Sequence, residues 1–205
     1  MNEMTAIIDY DAGNIKSVEK ALLFLGEETT ISSDKDVLYA ADRVILPGVG
    51  NFGDAMGNLE RYGLVPVIEN IVSRGTPFLG ICVGLQLLFE ESEESPGVPG
   101  LGLLKGKIRH IPRGEGRKIP HMGWNSLSLC GKGKLFEGIP DQSYVYFVHS
   151  YYLDAADKNM VTAVTEYGTR IDASVEQGNI YACQFHPEKS SLTGLKLLEN
   201  FCGLS

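Results

Sequence analysis

Between residues 5 and 90, short apolar runs alternate with amphipathic stretches, and this restricts the chain to an α/β fold with a mainly parallel sheet. Residues 5–8, 28–31, 43–46 and 76–81 read as strands. Asn14 is placed to cap a helix reaching about Leu25, with Ile15, Val18, Leu22 and Leu25 on one stripe. Residues 37–41, 64–73 and 83–90 read as further helices.

The second half changes character. From Pro96 to Gly133 glycine and proline recur among short polar–apolar alternations. Residues 144–148, 161–166, 171–176 and 180–185 read as strands, joined in part by turns at Tyr167-Gly168 and Gln177-Gly178-Asn179. They are expected to extend the same sheet in antiparallel fashion. A helix over 192–201 closes the chain. With no repeat and no linker, residues 1–205 are expected to form one domain.

Composition narrows the function. With 43% hydrophobic and 21% charged residues, the chain can bury a core and is not disordered. Eighteen basic against 26 acidic residues, a net charge of −8, disfavour a nucleic-acid binder. No apolar run reaches the ~18 residues of a membrane helix, and MNEMTAIIDY lacks the basic start of a secretory leader. Cys82, Cys130, Cys183 and Cys202 form no CxxC, which suggests reduced thiols and a cytoplasmic setting. His110, His121, His149 and His186 show no metal-ligand spacing, so no metal is expected.

The sharpest chemical signal is Gly80-Ile81-Cys82-Val83-Gly84, where an apolar strand runs into a helix. This is the layout of a nucleophile elbow with sulfur in place of oxygen. The glycines permit a tight turn, and the helix start favours thiolate and offers N–H groups to an oxyanion. A buried cysteine opening a core helix is the bland alternative. The base is sought in Gln184-Phe185-His186-Pro187-Glu188-Lys189. His186 follows an apolar strand, and Glu188 is spaced to orient its imidazole, giving a Cys-His-Glu triad. His149 competes as a base, although a packed histidine among aromatics is favoured. Gly48, Gly50 and Gly53 match G-x-G-x-x-G, yet they follow the third strand and Pro47 precedes them. A loop lending N–H groups to an oxyanion suits that context better than a dinucleotide site.

Gly-Ile-Cys-Val-Gly-Leu-Gln at 80–86 and Phe-His-Pro-Glu at 185–188 resemble the triad-type, class I glutamine amidotransferases. Gly13-Asn14-Ile15, Pro47-Gly48-Val49-Gly50-Asn51-Phe52, His121-Met122-Gly123-Trp124-Asn125 and His186-Pro187-Glu188-Lys189-Ser190 resemble, within that family, glutaminase subunits of imidazole glycerol phosphate synthase. The likeness spans residues 7 to about 201. It implies a flavodoxin-like sheet, helices on both faces, and hydrolysis of glutamine through a glutamyl thioester. Cys82 would attack, His186 would shuttle the proton and Glu188 would orient it. Val49, Gly50 and Val83 would form the oxyanion hole. Gln86, Glu94 and the His149-Ser150-Tyr151 backbone would hold glutamine, and Asn14, Trp124 and Lys189 would face a partner. That partner would be a (β/α)₈-barrel cyclase in a heterodimer, receiving ammonia, with no cofactor on this chain.

Two departures stand out. Asp11 replaces a usual glycine, and the elbow reads Cys-Val-Gly-Leu-Gln rather than Cys-Leu-Gly-Met-Gln. One hypothesis is that the resting Val49 peptide turns its N–H away, so that the isolated chain is nearly inactive until partner and ligand flip it. The glutaminase of another ammonia-channelling synthase, or a catalytically lapsed scaffold, are the competing expectations.

Overall fold

The computed structural model describes residues 3–131 and 133–204. Five parallel strands make the centre: β1 (Met4–Ile8), β2 (Glu28–Ser32), β3 (Arg43–Leu46), β4 (Phe78–Ile81) and the late strand β13 (Ile180–Cys183). β1, β3, β4 and β13 are buried almost throughout, as continuous apolar runs require in a sheet covered on both faces. Antiparallel β12 (Arg170–Gln177), β11 (Val161–Glu166) and β8 (Ser128–Leu129) extend the sheet, in the order β2-β1-β3-β4-β13-β12-β11-β8.

Chain direction assigns the helices to faces. α1 (Ile15–Phe24) follows β1 outward to β2, and it packs with the last helix, α6 (Ser191–Cys202). From β2 the chain crosses back over β1, which places α2 (Lys35–Ala40), α3 (Phe52–Arg61) and α4 (Val65–Ser73) on the opposite face. α5 (Val83–Leu87) follows β4 directly.

Several boundaries differ from the sequence expectation. The helix expected over 83–90 ends at Leu87. α3, within the glycine-rich segment, was not anticipated; Asn51 caps it by accepting from Gly53 and Asp54 N–H. The strands expected to extend the sheet in antiparallel fashion do not all do so: β13, expected among them over 180–185, runs parallel to β4 inside the sheet, and the strand expected over 144–148 leaves it. β9 (Tyr144–His149) pairs with β7 (His121–Ser126) in a separate ribbon. β10 (Tyr151–Ala155) pairs with β6 (Gly106–His110), itself beside β5 (Glu91–Ser92). Alternation along a strand reports which face is buried but not which neighbour covers it, and here two small sheets fold over the carboxyl edge of the large one.

Candidate active site

Three adjacent parallel strands deliver the site. β3 ends in the Pro47–Gly50 loop, β4 ends at Cys82, and β13 leads through Gln184 and Phe185 to His186. Functional groups of an open parallel sheet gather at this edge.

Cys82 has φ 54° and ψ −108°, a strained conformation for a residue with a Cβ, and its N–H donates to Cys183 O at 2.8 Å. The elbow needs its glycines for close approach. A Cβ on Gly84 would lie 2.0 Å from Leu46 O, and one on Gly80 would lie 2.7 Å from Gly84 O. The local fold is therefore α5 pressed against the end of β3, with the sulfur at the turn.

His186 Nδ1 donates to Glu188 Oε1 at 2.8 Å, within a short 3₁₀ turn at Pro187–Lys189, and both side chains are buried. Ser190 pins this turn: its hydroxyl donates to His186 O at 2.6 Å and accepts Tyr146 N–H at 2.9 Å. Among the described residues His186 Nε2 has no partner within hydrogen-bond geometry, yet the imidazole feels the sulfur. Burial disfavours the charged ring, but the nearby Cys82 sulfur and the hydrogen-bonded Glu188 carboxylate outweigh it, raising the pKa to about 9. A protonated imidazole at neutral pH is suited to donating to a leaving amine.

A cavity of about 250 Å³ opens over the sulfur, lined among others by Val49, Gly50, Gln86, Glu94 and Tyr151. Cys82, Val83, His149, Ser150 and His186 also line it. The volume suits something smaller than a drug-sized ligand, such as one amino acid. Gln86 is buried, and its Nε2 donates to Tyr151 O at 3.0 Å and to Gln184 Oε1 at 3.1 Å. One oxygen of Glu94 accepts Phe52 N–H at 2.7 Å, which anchors the carboxylate beside the start of α3.

The loop expected to lend oxyanion donors folds back onto Val83. Val83 N–H donates to Gly48 O at 3.3 Å, and Tyr10 OH donates to Pro47 O at 2.6 Å beneath it. In a trans peptide the C=O and N–H point in opposite directions. The unit that aims Gly48 O at Val83 therefore aims Val49 N–H away.

His149 is buried and neutral. Burial lowers its pKa to about 3, and that of its neighbour His121 to about 4. It packs between His121 and Phe147, as the sequence favoured, while also lining the cavity. Of the three residues expected at a partner surface, Trp124 is 53% exposed and edge-on to Tyr146, and Lys189 is exposed. Asn14 is different. It has φ 71° and makes no side-chain cap for α1; its amide reaches Glu188 instead. Asp11 is held by Arg61 Nη2 at 2.7 Å and Tyr62 OH at 2.8 Å. Cys183 is fully buried, which drives its thiol pKa well up, and burial pushes Cys202 to about 12. Neither suits a nucleophile.

Sequence reasoning overlooked Gln184, Tyr10, His121 and Ser190 at the site. Gln184 carried a signal, since a polar side chain at the end of an apolar strand beside His186 demands a buried partner.

A cysteine on a strained strand-to-helix turn, with a His–Glu pair one strand away, is the arrangement of a thiol-dependent acyl-transfer enzyme. The chain belongs to the class-I glutamine amidotransferases, whose family model matches residues 6–203. It is 51% identical over 196 residues to imidazole glycerol phosphate synthase subunit HisH of Moorella thermoacetica, covering 96% of this chain and 92% of that one. It is 46% identical over 205 residues to subunit HisH 1 of Methanococcus maripaludis, covering 98% and 100%. Among solved structures it superposes on PurLQS from Thermotoga maritima with a TM-score of 0.77 at 23% identity, covering 98% of each chain.

Proposed function

We propose that this chain is the glutaminase subunit of an imidazole glycerol phosphate synthase, working in histidine biosynthesis beside a (β/α)₈-barrel cyclase. The observation that carries the chemistry is the His186–Glu188 pair set against Cys82 at the floor of a small cavity.

The Cys82 thiolate attacks the side-chain carboxamide carbon of glutamine, forming a C–S bond and placing negative charge on the carbonyl oxygen. As this tetrahedral species collapses, the C–N bond breaks and the nitrogen takes the His186 proton, leaving as ammonia. The product is a glutamyl thioester. A water then loses a proton to His186, attacks the same carbon and expels the thiolate, releasing glutamate. Glu188 orients the ring by receiving Nδ1–H. Gln86, Glu94 and the His149–Tyr151 backbone surround the amino-acid end of the substrate.

Charge on the carbonyl oxygen needs donors, and the resting loop withholds them. One flip of the Gly48–Val49 peptide would withdraw the Gly48 carbonyl from Val83 N–H and present Val49 N–H to the same point. One missing donor costs roughly 10²–10³ in rate. Trp124 and Met122 on β7, and Lys189 next to Glu188, are exposed side chains that a partner could grip to bias the flip.

The decisive measurement is glutamate release from glutamine by the chain, alone and with a barrel cyclase and its ribonucleotide ligand. Low release that rises strongly in the complex, and disappears in Cys82→Ala, supports the reading. High release indifferent to the cyclase keeps the glutaminase and rejects the partner. No release under any condition favours a lapsed scaffold.

A further inference from the structure

Gln184 is fully buried beyond the end of β13, and its Nε2 lies 3.8 Å from Cys82 Sγ. Its neighbours determine which end of the amide faces the sulfur. Tyr151 O can only accept, so the Gln86 atom 3.0 Å away must be the amide nitrogen. That nitrogen also donates at 3.1 Å to Gln184, so the receiving atom is Gln184 Oε1. The Gln184 NH₂ is left directed at Cys82.

The same logic continues outward from Tyr151 O. His149 Nδ1 donates to it at 2.9 Å, which leaves Nε2 to accept from His121 Nδ1 at 3.0 Å. His121 Nε2 then accepts from Asn125 Nδ2 at 3.3 Å, and that nitrogen also donates to Glu166 O at 3.0 Å. Each end of the network is a backbone carbonyl or the sulfur, and no amide or imidazole in it is free to turn over. Opposite Gln184, the Val148 carbonyl lies 4.0 Å from the sulfur and offers an acceptor to the thiol proton. A carbonyl favours thiol, whereas an amide N–H favours thiolate.

We propose that Gln184 is a further catalytic residue: its side-chain N–H donates to the Cys82 thiolate, before attack and again when that thiolate leaves the glutamyl thioester. This rests on the reading of Cys82 as nucleophile. The thiolate carries its full charge in the free enzyme and after deacylation, and loses it while the C–S bond exists. The donor therefore matters most in forming the nucleophile and expelling the leaving group.

The test measures alkylation of Cys82 by iodoacetamide across pH, read by mass spectrometry of the Cys82 peptide; the S–C bond forms as iodide leaves. Gln184→Met keeps the length and removes the donor. Gln184→Glu keeps an acceptor for Gln86 and sets a carboxylate against the sulfur. Gln184→Met is expected to slow Cys82 alkylation at neutral pH about tenfold, moving the rate profile to higher pH. Gln184→Glu should slow it further, and kcat for glutamate release should fall more than KM rises. A merely structural role would lower the unfolding temperature and leave the profile of the folded protein in place, which would overturn the proposal, as would faster alkylation in Gln184→Glu. If neither variant folds, the side-chain ¹⁵N–¹H signals of Gln184 in the unmodified sequence decide. They should move over the pH range in which Cys82 becomes reactive and stay still in Cys82→Ala; signals that do not track Cys82 overturn the proposal. Should Cys82 prove no faster to alkylate than the other cysteines, it is the nucleophile reading that falls.

Discussion

Asn14 and His186 converge on one atom: the Asn14 amide donates to Glu188 Oε1, which also receives His186 Nδ1–H at 2.8 Å, although 174 residues separate Asn14 from Glu188. An asparagine tolerates the left-handed backbone at this point, and its short amide reaches inward. It steadies the carboxylate that steadies the base. Asn14→Ala should lower kcat for glutamate release about tenfold, as expected for the loss of a hydrogen bond to a charged group. Asn14→Asp should be worse, since it sets a second carboxylate against Glu188. Steady-state kinetics with saturating glutamine checks both; unchanged kcat in each would confine Asn14 to the partner-facing role that the family resemblance implied.

The Pro47–Gly50 loop makes a second prediction. Gly50 has φ +97°, and a Cβ there meets no neighbour within 4 Å. The position is thus constrained by backbone conformation rather than by space. Gly50→Ala should shift the resting loop away from its present geometry and change basal glutamate release by at least several-fold, with a modest loss of stability, since alanine is strained at positive φ. Comparing basal and cyclase-stimulated rates is the measurement. If both rates stayed at their original values, the flipping peptide would have no support.

Two helical glycines should respond in opposite directions. Gly84→Ala must drive a methyl into Leu46 O, so α5 and β3 have to separate. A loss above about 2 kcal/mol, with slower Cys82 alkylation, is expected. Gly57, within α3, has open space around its Cβ position, and alanine there should stabilise by up to about 1 kcal/mol. Urea unfolding of both variants tests the contrast.

The reach of sequence reasoning followed the range of the interactions involved. Strand-to-helix punctuation around Cys82 and the two-residue step from His186 to Glu188 are local, and both were legible. The carboxyl-edge placement of the Pro47–Gly50 loop and of Cys82 followed from parallel topology, whereas β13 was expected among the antiparallel strands and reaches the same edge because it runs parallel to β4. Asn14 does stand at the N-cap position of α1, but its side chain turns to Glu188 instead of capping; that partner is distant in sequence and no local pattern announces it. The β7–β9 ribbon escaped for a related reason. His121 and His149 pair across 28 residues, and a glycine-rich tract conceals the first strand. Gln184 was visible as a buried polar residue, but its role required knowing which atoms surround it.

Three histidines predict how stability changes with pH. His121 and His149 have folded pKa values of about 4 and about 3, both depressed chiefly by burial below the ordinary 6.5. Between those values and 6.5 the unfolded chain binds more protons, so stability falls as pH drops through that window. His186 has the opposite sign. Its folded pKa of about 9 means that the native state binds the extra proton between 6.5 and 9, so its contribution is complete below 6.5 and is lost as pH rises through 9. The maximum from these groups therefore lies near pH 6.5, with limiting slopes of about 1.4 kcal/mol per pH unit for each titrating site. Urea midpoints measured from pH 4.5 to 9 should trace that dome. Replacing His186 with glutamine should remove the alkaline limb and leave the acid limb, whereas replacing His149 with glutamine should flatten the acid limb alone. An acid limb that survives His149→Gln undiminished would mean that His149 titrates normally and that the neutral imidazole network is not what holds Tyr151 in place.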